Sequence, residues 1–318
     1  MAEWLIERGI GETRAALVDG GEIVEARIEL DGVARAGTVI AARLASAGQA
    51  GRNAIARDDE GTEYLLPNAP HGVTEGARLN VEILREAIPG SEPWKRPLAR
   101  ATDEPPAPAT PLSGRAGAFP TSGRNELTDA GWDDLIEQAR SGIVEFAGGT
   151  LRISQTPAMT LIDVDGVLPP GELAVAGAAE AARAIRRLGV GGSIGIDLPT
   201  VAGKAVRQAA AEAIDQWLPQ PFERTAVNGF GFLQIVRPRR HASLLELAAD
   251  RGPFEARALL RRAARETGAI RLVAHPAVIA AIEVHPGWID ALARQVGGAV
   301  GLRADASLPI SVGHAEQA

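Results

Sequence analysis

The chain has 318 residues, 46% of them hydrophobic, with a formal net charge of −7 and no cysteine. That length allows two or three domains with their own cores, while the missing thiols exclude disulfides, thiolate zinc sites and cysteine nucleophiles. The negative balance argues against a nonspecific nucleic-acid coat, and no apolar run reaches the roughly 20 residues that span a bilayer.

Residues 3–30 alternate apolar and polar around the Asp19-Gly20-Gly21 turn, which predicts a β-meander over residues 1–36. Acids at Glu3 and Glu7 stand where a signal peptide carries bases, so a cytoplasmic protein with no membrane partner is expected. Short strand signals follow at Gly37–Leu44, Asn53–Arg57, Thr62–Pro67 and Arg78–Leu84, spaced as in a small antiparallel barrel over 37–100. From Ala101 to Arg124 the composition shifts to Pro, Ala, Ser, Thr and Gly, which predicts a flexible linker and a domain boundary. Beyond it, residues 125–245 read as a mixed α/β domain and 246–318 as a C-terminal α/β subdomain.

Within 125–245, a hairpin over Ala147-Gly148 leads into Met159-Thr160-Leu161-Ile162-Asp163-Val164-Asp165-Gly166. An Ala/Glu/Arg-rich helix over Glu172–Leu188 then precedes Gly195-Ile196-Asp197-Leu198. Strand, helix, strand predicts a βαβ crossover, with both strands parallel and their C-terminal ends on one edge. Asp163 and Asp197 at those ends form a candidate site for a hard cation, Mg²⁺ or alternatively Mn²⁺, because carboxylate oxygens without soft neighbours suit those ions. The alternative reading is that both aspartates merely cap loops after buried strands. The five histidines form no HxxxH or HExxH pattern, so no zinc is expected. Gly189-Val190-Gly191-Gly192 precedes a strand rather than linking strand to helix, so a Rossmann phosphate loop fails on context. A further strand is expected over Thr225–Val236, ending in the basic cluster Arg237, Arg239 and Arg240. A second basic cluster is Trp94-Lys95-Arg96; solvated faces are the plain alternative for both clusters.

Three motifs in succession resemble the catalytic region of the ribonuclease E/G family. They are Gly148–Ile153 leading into Met159–Asp165, then Leu188–Asp197, then Gly229-Phe230-Gly231-Phe232-Leu233-Gln234-Ile235-Val236-Arg237-Pro238-Arg239. The resemblance covers most of the chain and implies an opening meander, an S1-like barrel of the oligonucleotide-binding type, and a nuclease domain. It implies an endoribonuclease acting on single-stranded RNA, with Asp163 and Asp197 holding Mg²⁺ and Asp165, where the family has Asn, joining them in catalysis as a third ligand or a water-orienting acceptor. Arg237, Arg239 and Arg240 would clamp phosphates, and Tyr64, Lys95 and Arg96 would contact RNA on the barrel. The two barrel aromatics of the family fall at Ile55 and Leu65, with Tyr64 beside them as a substitute. The family's accessory positions are replaced at Gly229, Gln234 and Thr200. The segment that senses a 5′-monophosphate and the zinc-link cysteines are missing, so any homo-oligomer would form without that link. These departures leave two further readings: an RNA-binding protein with weak or no cleavage, and another phosphate enzyme on a related α/β sheet.

Overall fold

The computed structural model describes residues 2–89, 95–110, 114–116 and 125–318; Trp94 of the second basic cluster lies outside them. β1 (Glu3–Arg8), β2 (Glu12–Asp19) and β3 (Glu22–Leu30) form the expected antiparallel meander. Gly20 and Gly21 turn the β2–β3 hairpin with positive φ, which costs glycine nothing sterically.

Five strands follow: β4 (Val39–Ser46), β5 (Arg52–Arg57), β6 (Glu63–Asn68), β7 (Arg78–Arg85) and β8 (Leu98–Thr102). Their pairings run β4-β5-β6-β8-β7 and return to β4, closing a ring. Every second residue points inward, so Leu44, Leu66, Val81 and Ile83 meet Ala42, Ala54, Ala56, Ala99 and Tyr64 in one core.

The stretch expected as a linker does not hang free where it is described. Ala101 and Thr102 complete β8, and Ala107 exchanges both backbone hydrogen bonds with Val39. Ala109 is buried, its N–H donating to the Thr38 hydroxyl. Arg115 and Ala116 form β9, parallel to β1. A Pro/Ala-rich segment has no core of its own, yet it can still satisfy its backbone on the edge of another element. Residues 111–113 and 117–124 lie outside the description.

Asn125 caps α1 (Glu126–Asp129), its Oδ1 accepting from the N–H groups of Leu127 and Thr128. α2 (Trp132–Ser141) buries Trp132, Leu135, Ile136 and Ala139 at helical spacing. β10 (Ile143–Phe146), β11 (Gly149–Gln155), β12 (Thr160–Gly166), β13 (Gly192–Asp197), β14 (Glu223–Arg224) and β15 (Phe232–Arg237) make a six-stranded mixed sheet ordered β10-β11-β12-β13-β15-β14. Only β12 and β13 are parallel within it, joined by α3 (Pro170–Arg187), which is the expected βαβ unit. α4 (Lys204–Trp217) lies beside α3. Both helices present alanines inward (Ala174, Ala178, Ala181 and Ala182 on α3; Ala210, Ala211 and Ala213 on α4), so their backbones approach closely. An alanine Cβ at Gly177 of α3 would lie 2.3 Å from Val164 Cγ1 on β12. Gly177→Ala is therefore expected to lower unfolding free energy by about 1–3 kcal/mol in chemical denaturation, as overpacked cores do.

The strand expected over Thr225–Val236 starts only at Phe232. Asn228 Oδ1 accepts from the N–H groups of both Phe230 and Phe232, and Gly231 takes φ +95°, so residues 225–231 turn rather than extend.

The last segment contains α5 (Leu244–Ala249), α6 (Arg251–Ala263), β16 (Ile270–Ala274), α7 (Pro276–Glu283), α8 (Pro286–Val296), β17 (Val300–Ala304) and β18 (His314–Gln317). Its sheet runs β17-β16-β18, and Leu259, Leu260, Leu272, Ile279, Ile282 and Leu292 fill the core beneath the helices. The architecture is mixed α+β, and no helix among the described residues is long and apolar enough to cross a membrane.

Two compact units emerge, and their boundaries differ from the expected ones. One combines Met1–Asp31, Gly114–Ser141 and Leu244–Ala318; the other combines Gly32–Ser113 and Gly142–Ser243. The meander, expected to pack on the rest of the chain, shares a unit with α2 and the C-terminal layer. What holds these distant segments together is a buried ion network: Glu12 Oε2 accepts from Arg257 Nε at 3.0 Å, Glu12 Oε1 from Arg14 Nε at 2.7 Å, and Glu7 from Arg261.

Candidate carboxylate site

Alternation along β12 and β13 turns Ile162, Val164, Ile194 and Ile196 into the core beneath α3 and α4. The opposite face therefore carries Asp163, Asp165 and Asp197, all exposed. Asp163 and Asp197 are direct register partners on the parallel pair. Neighbouring strands lie about 4.8 Å apart and residues two apart on one strand about 6.6 Å, so the three carboxylates share one small patch at the strands' C-terminal ends.

The electrostatics agree with that crowding. Partial burial, followed by repulsion from Asp165 and Asp197, pushes the Asp163 carboxyl above its ordinary range. Arg152 opposes the shift. It is the register partner of Asp163 across β11–β12, and its Nε lies 3.9 Å from Asp165 Oδ2. Sequence reading had not singled out Arg152; its place beside the carboxylates becomes visible only once the hairpin register is known.

Two aromatic rings stand at the same end. Phe232 is the register partner of Asp197, and a Cβ on Gly195 would come within 2.6 Å of Phe232 Cζ and 2.9 Å of Leu161 Cδ2. Gly195 thus lets the Phe232 ring lie down over the strand. Phe230 is 83% exposed at the tip of the 225–231 turn. The Thr200 hydroxyl donates to its carbonyl at 3.0 Å, so Thr200 braces this turn. Gln234 is the partner of Gly195, on the same face as the aspartates.

A divalent cation is compatible with this donor set. Mg²⁺ is commonly held by one or two carboxylates while it keeps several waters, and two register-paired aspartates on an open face offer that. Among the described residues no group of three or more His, Cys, Asp or Glu side chains forms a metal-holding cluster. Asp165 lies two residues beyond Asp163 on the same strand face, with Arg152 Nε 3.9 Å from its Oδ2.

The expected RNA contacts divide differently. Tyr64 is 3% exposed, and its hydroxyl donates to Asp58 Oδ2 at 2.8 Å within the barrel. Its ring has no free face for a base. The reason is strand parity: Leu65 and its partner Ile55 face outward, so Tyr64, one residue away, must face inward. Burial and the Asp58 carboxylate both push the Tyr64 hydroxyl pKa upward, which keeps it a neutral donor.

Arg237, Arg239 and Arg240 lie at the other end of the sheet. Arg237 pairs with Gly192 while Phe232 pairs with Asp197, and those five strand steps span about 17 Å. The arginines therefore do not flank the carboxylates. They adjoin the barrel instead. Arg85 donates to the Arg96 carbonyl at 2.8 Å, and the Glu86 N–H donates to the Arg240 carbonyl at 2.9 Å. The segments bearing Lys95-Arg96 and Arg237–Arg240 thus flank the same two residues. Arg96 also pairs with Glu63 at 2.7 Å. No protein-family model matches the chain, and a search of curated proteins returns no match.

Proposed function

We propose that this protein is a metal-dependent endoribonuclease that hydrolyses phosphodiester bonds in single-stranded RNA. The observation that carries the proposal is the register pairing of Asp163 with Asp197, beside Asp165, on an uncovered face at the C-terminal ends of a parallel strand pair. Hard oxygen donors at that edge suit Mg²⁺ or Mn²⁺. When bound, such an ion supplies Lewis-acid stabilisation to a phosphodiester and makes water a better nucleophile.

The chain's own residues do the rest. Arg152 sits where it can neutralise a phosphate oxygen next to the carboxylates, a charge-assisted contact that guanidinium makes well. Phe230, exposed at the turn, offers an apolar face on which an unpaired base stacks. The five-stranded barrel is read as S1-like, and Lys95, Arg96, Arg237, Arg239 and Arg240 form the basic patch beside it that would hold RNA some nucleotides from the cut. Succession of the three sequence motifs supports the same reading. Replacing Phe230 by Ala is expected to weaken single-stranded RNA binding by about 1–3 kcal/mol, the usual worth of one stacked base. A fluorescence-anisotropy titration at fixed salt checks it.

A second reading, RNA binding with little or no cleavage, is favoured by one observation: Gln234, an amide where the family carries Glu, lies on the carboxylate face itself. RNA incubated with Mg²⁺, with EDTA, and with Asp163→Asn protein purified identically separates the two. The nuclease reading expects cleavage only by the wild type with metal. Equal cleavage by Asp163→Asn would sink it, and salt-sensitive binding without cleavage in every arm would establish the second reading.

A further inference from the structure

The unit formed by the meander, α1, α2 and the C-terminal layer contains a cavity of about 310 Å³. Its lining includes five arginines, Arg14, Arg140, Arg261, Arg262 and Arg265, against two carboxylates, Glu7 and Asp133. Carboxylates behind the wall pair with the inner arginines and leave the rim uncompensated. Glu12 is bonded to Arg14, Arg257 and Arg261, and Glu255 is held by Arg140 through two hydrogen bonds of 2.8 and 2.7 Å. Asp31 stands near Glu12, its carboxyl raised by burial and by that neighbour. Glu137 adds a further carboxylate 3.6 Å from Arg140, so the paired wall is close to balanced and the uncompensated guanidinium groups are Arg262 and Arg265 at the rim. Burial and then Arg14 lower the Arg261 pKa, which marks guanidinium groups crowded against one another. Like charges packed out of water are costly unless an opposite charge joins them.

A second observation points the same way. Trp132 also lines the cavity, and its indole N–H is buried with no acceptor among the described residues. Leaving such a donor unmade costs about 1–3 kcal/mol. Above it, Arg14 stacks 5.3 Å from the indole centroid. At the rim, Arg262 and Arg265 are both exposed. Arg262 donates to the Gly313 carbonyl, and the Arg265 side chain has no hydrogen-bond or ion-pair partner among the described residues.

We propose that this cavity is a binding site for a small phosphate-bearing anion, clamped by Arg14, Arg261, Arg262 and Arg265 and receiving the Trp132 indole N–H. The volume lies at the low end for ligand pockets, which suits a phosphate ion or small phosphomonoester rather than a polymer. Guanidinium forks match phosphate oxygens geometrically, and the site asks for two or more of them on one ligand. It is separate from the carboxylate patch on β12 and β13, and does not depend on that patch being a nuclease centre.

The test is isothermal titration of the full chain at constant ionic strength with inorganic phosphate, glycerol phosphate and sulfate in separate arms. Phosphate or glycerol phosphate should bind saturably at millimolar or lower concentration, and the tighter of the two names the source. The Trp132 indole resonance, assigned by its loss in Trp132→Phe, should shift with the same midpoint. Arg265→Ala combined with Arg262→Ala should weaken binding at least tenfold, Arg265→Lys should weaken it less, and Asp163→Asn should bind as the wild type does. No saturation by 10 mM in any arm, wild-type affinity in the double rim variant, or loss of binding in Asp163→Asn would each overturn the proposal. Both rim arginines are exposed, so circular dichroism of the double variant should match the wild type, and titration of Arg265→Lys decides the matter if it does not.

Discussion

Replacing Asp197 by Asn is expected to lower the metal-dependent RNA cleavage rate by at least about a hundredfold while leaving RNA affinity within a factor of two or three. The size follows from losing one preorganised charge at the reacting centre, a loss worth about 10²–10³ in rate where such groups have been removed elsewhere. The side chain is exposed and isosteric with its replacement, so folding should be indifferent. Asp165→Asn should cost less. It stands two residues beyond Asp163 with Arg152 beside it, and Asn at that position removes a neighbouring charge without removing a member of the register pair. Single-turnover cleavage of a labelled single-stranded oligonucleotide, with each variant purified alongside the wild type, measures both effects. A rate for Asp197→Asn equal to the wild type would remove the pair from the chemistry.

Glu12→Gln is expected to destabilise the unit built from the meander and C-terminal layer by about 3–5 kcal/mol, the usual cost of breaking a buried ion network from one side. Glu12 is 2% exposed and receives hydrogen bonds from Arg14, Arg257 and Arg261. Removing its charge leaves three guanidinium groups with Glu7 as their remaining buried carboxylate. Burial works to raise the Glu12 carboxyl, but Arg14, Arg261 and Arg257 together overcome that and hold it below the ordinary carboxylate range. The sign of the pH effect follows. A carboxylate depressed on folding stabilises fully above its unfolded pKa, and that stability is lost as pH falls through the folded value. Wild-type stability should therefore decline below about pH 4.5 with a steeper slope than Glu12→Gln shows. Urea denaturation at a series of pH values tests both statements, and parallel slopes would show that Glu12 is not the group responsible.

Much of this arrangement was legible in the sequence, for reasons that are local. Period-two alternation gave the meander, four of the barrel strands and the carboxylate strand. Helical spacing between Glu172 and Leu188 gave the crossover, and a crossover between adjacent strands forces them parallel, which placed Asp163 and Asp197 at one edge. What could not be read is set by distance along the chain. Two rows of contacts about 245 residues apart, Glu7 and Glu12 with Arg257 and Arg261, decide that the opening strands share a unit with the final segment, and no local pattern reports them. β18 has the polar sequence His314–Gln317 and exists because β16 offers it an edge. α5 is six residues long, too short for periodicity to stand out.

The candidate site shows the same division. The aspartates were visible from strand ends, whereas Arg152 entered only through the β11–β12 register. Strand parity turns the Tyr64 ring into the barrel core, and the Arg237–Arg240 cluster lies at the other end of the sheet from Asp197 because β15 runs antiparallel to β13. Antiparallel pairing carries the C-terminal end of β15 away from Asp197 and toward the barrel. The same turn at Asn228 that shortens the expected strand leaves Phe230 exposed near the carboxylates. Single-residue facts of this kind decide which side chains share a face.

The most direct measurement is anomalous diffraction from a crystal of the wild-type protein soaked in Mn²⁺. The account predicts one Mn²⁺ peak between Asp163 and Asp197, with an oxygen of each carboxylate at roughly 2.1–2.2 Å and water completing the shell, as these hard dications prefer. A peak absent from that position at saturating Mn²⁺, with the two carboxylates turned apart, would contradict it.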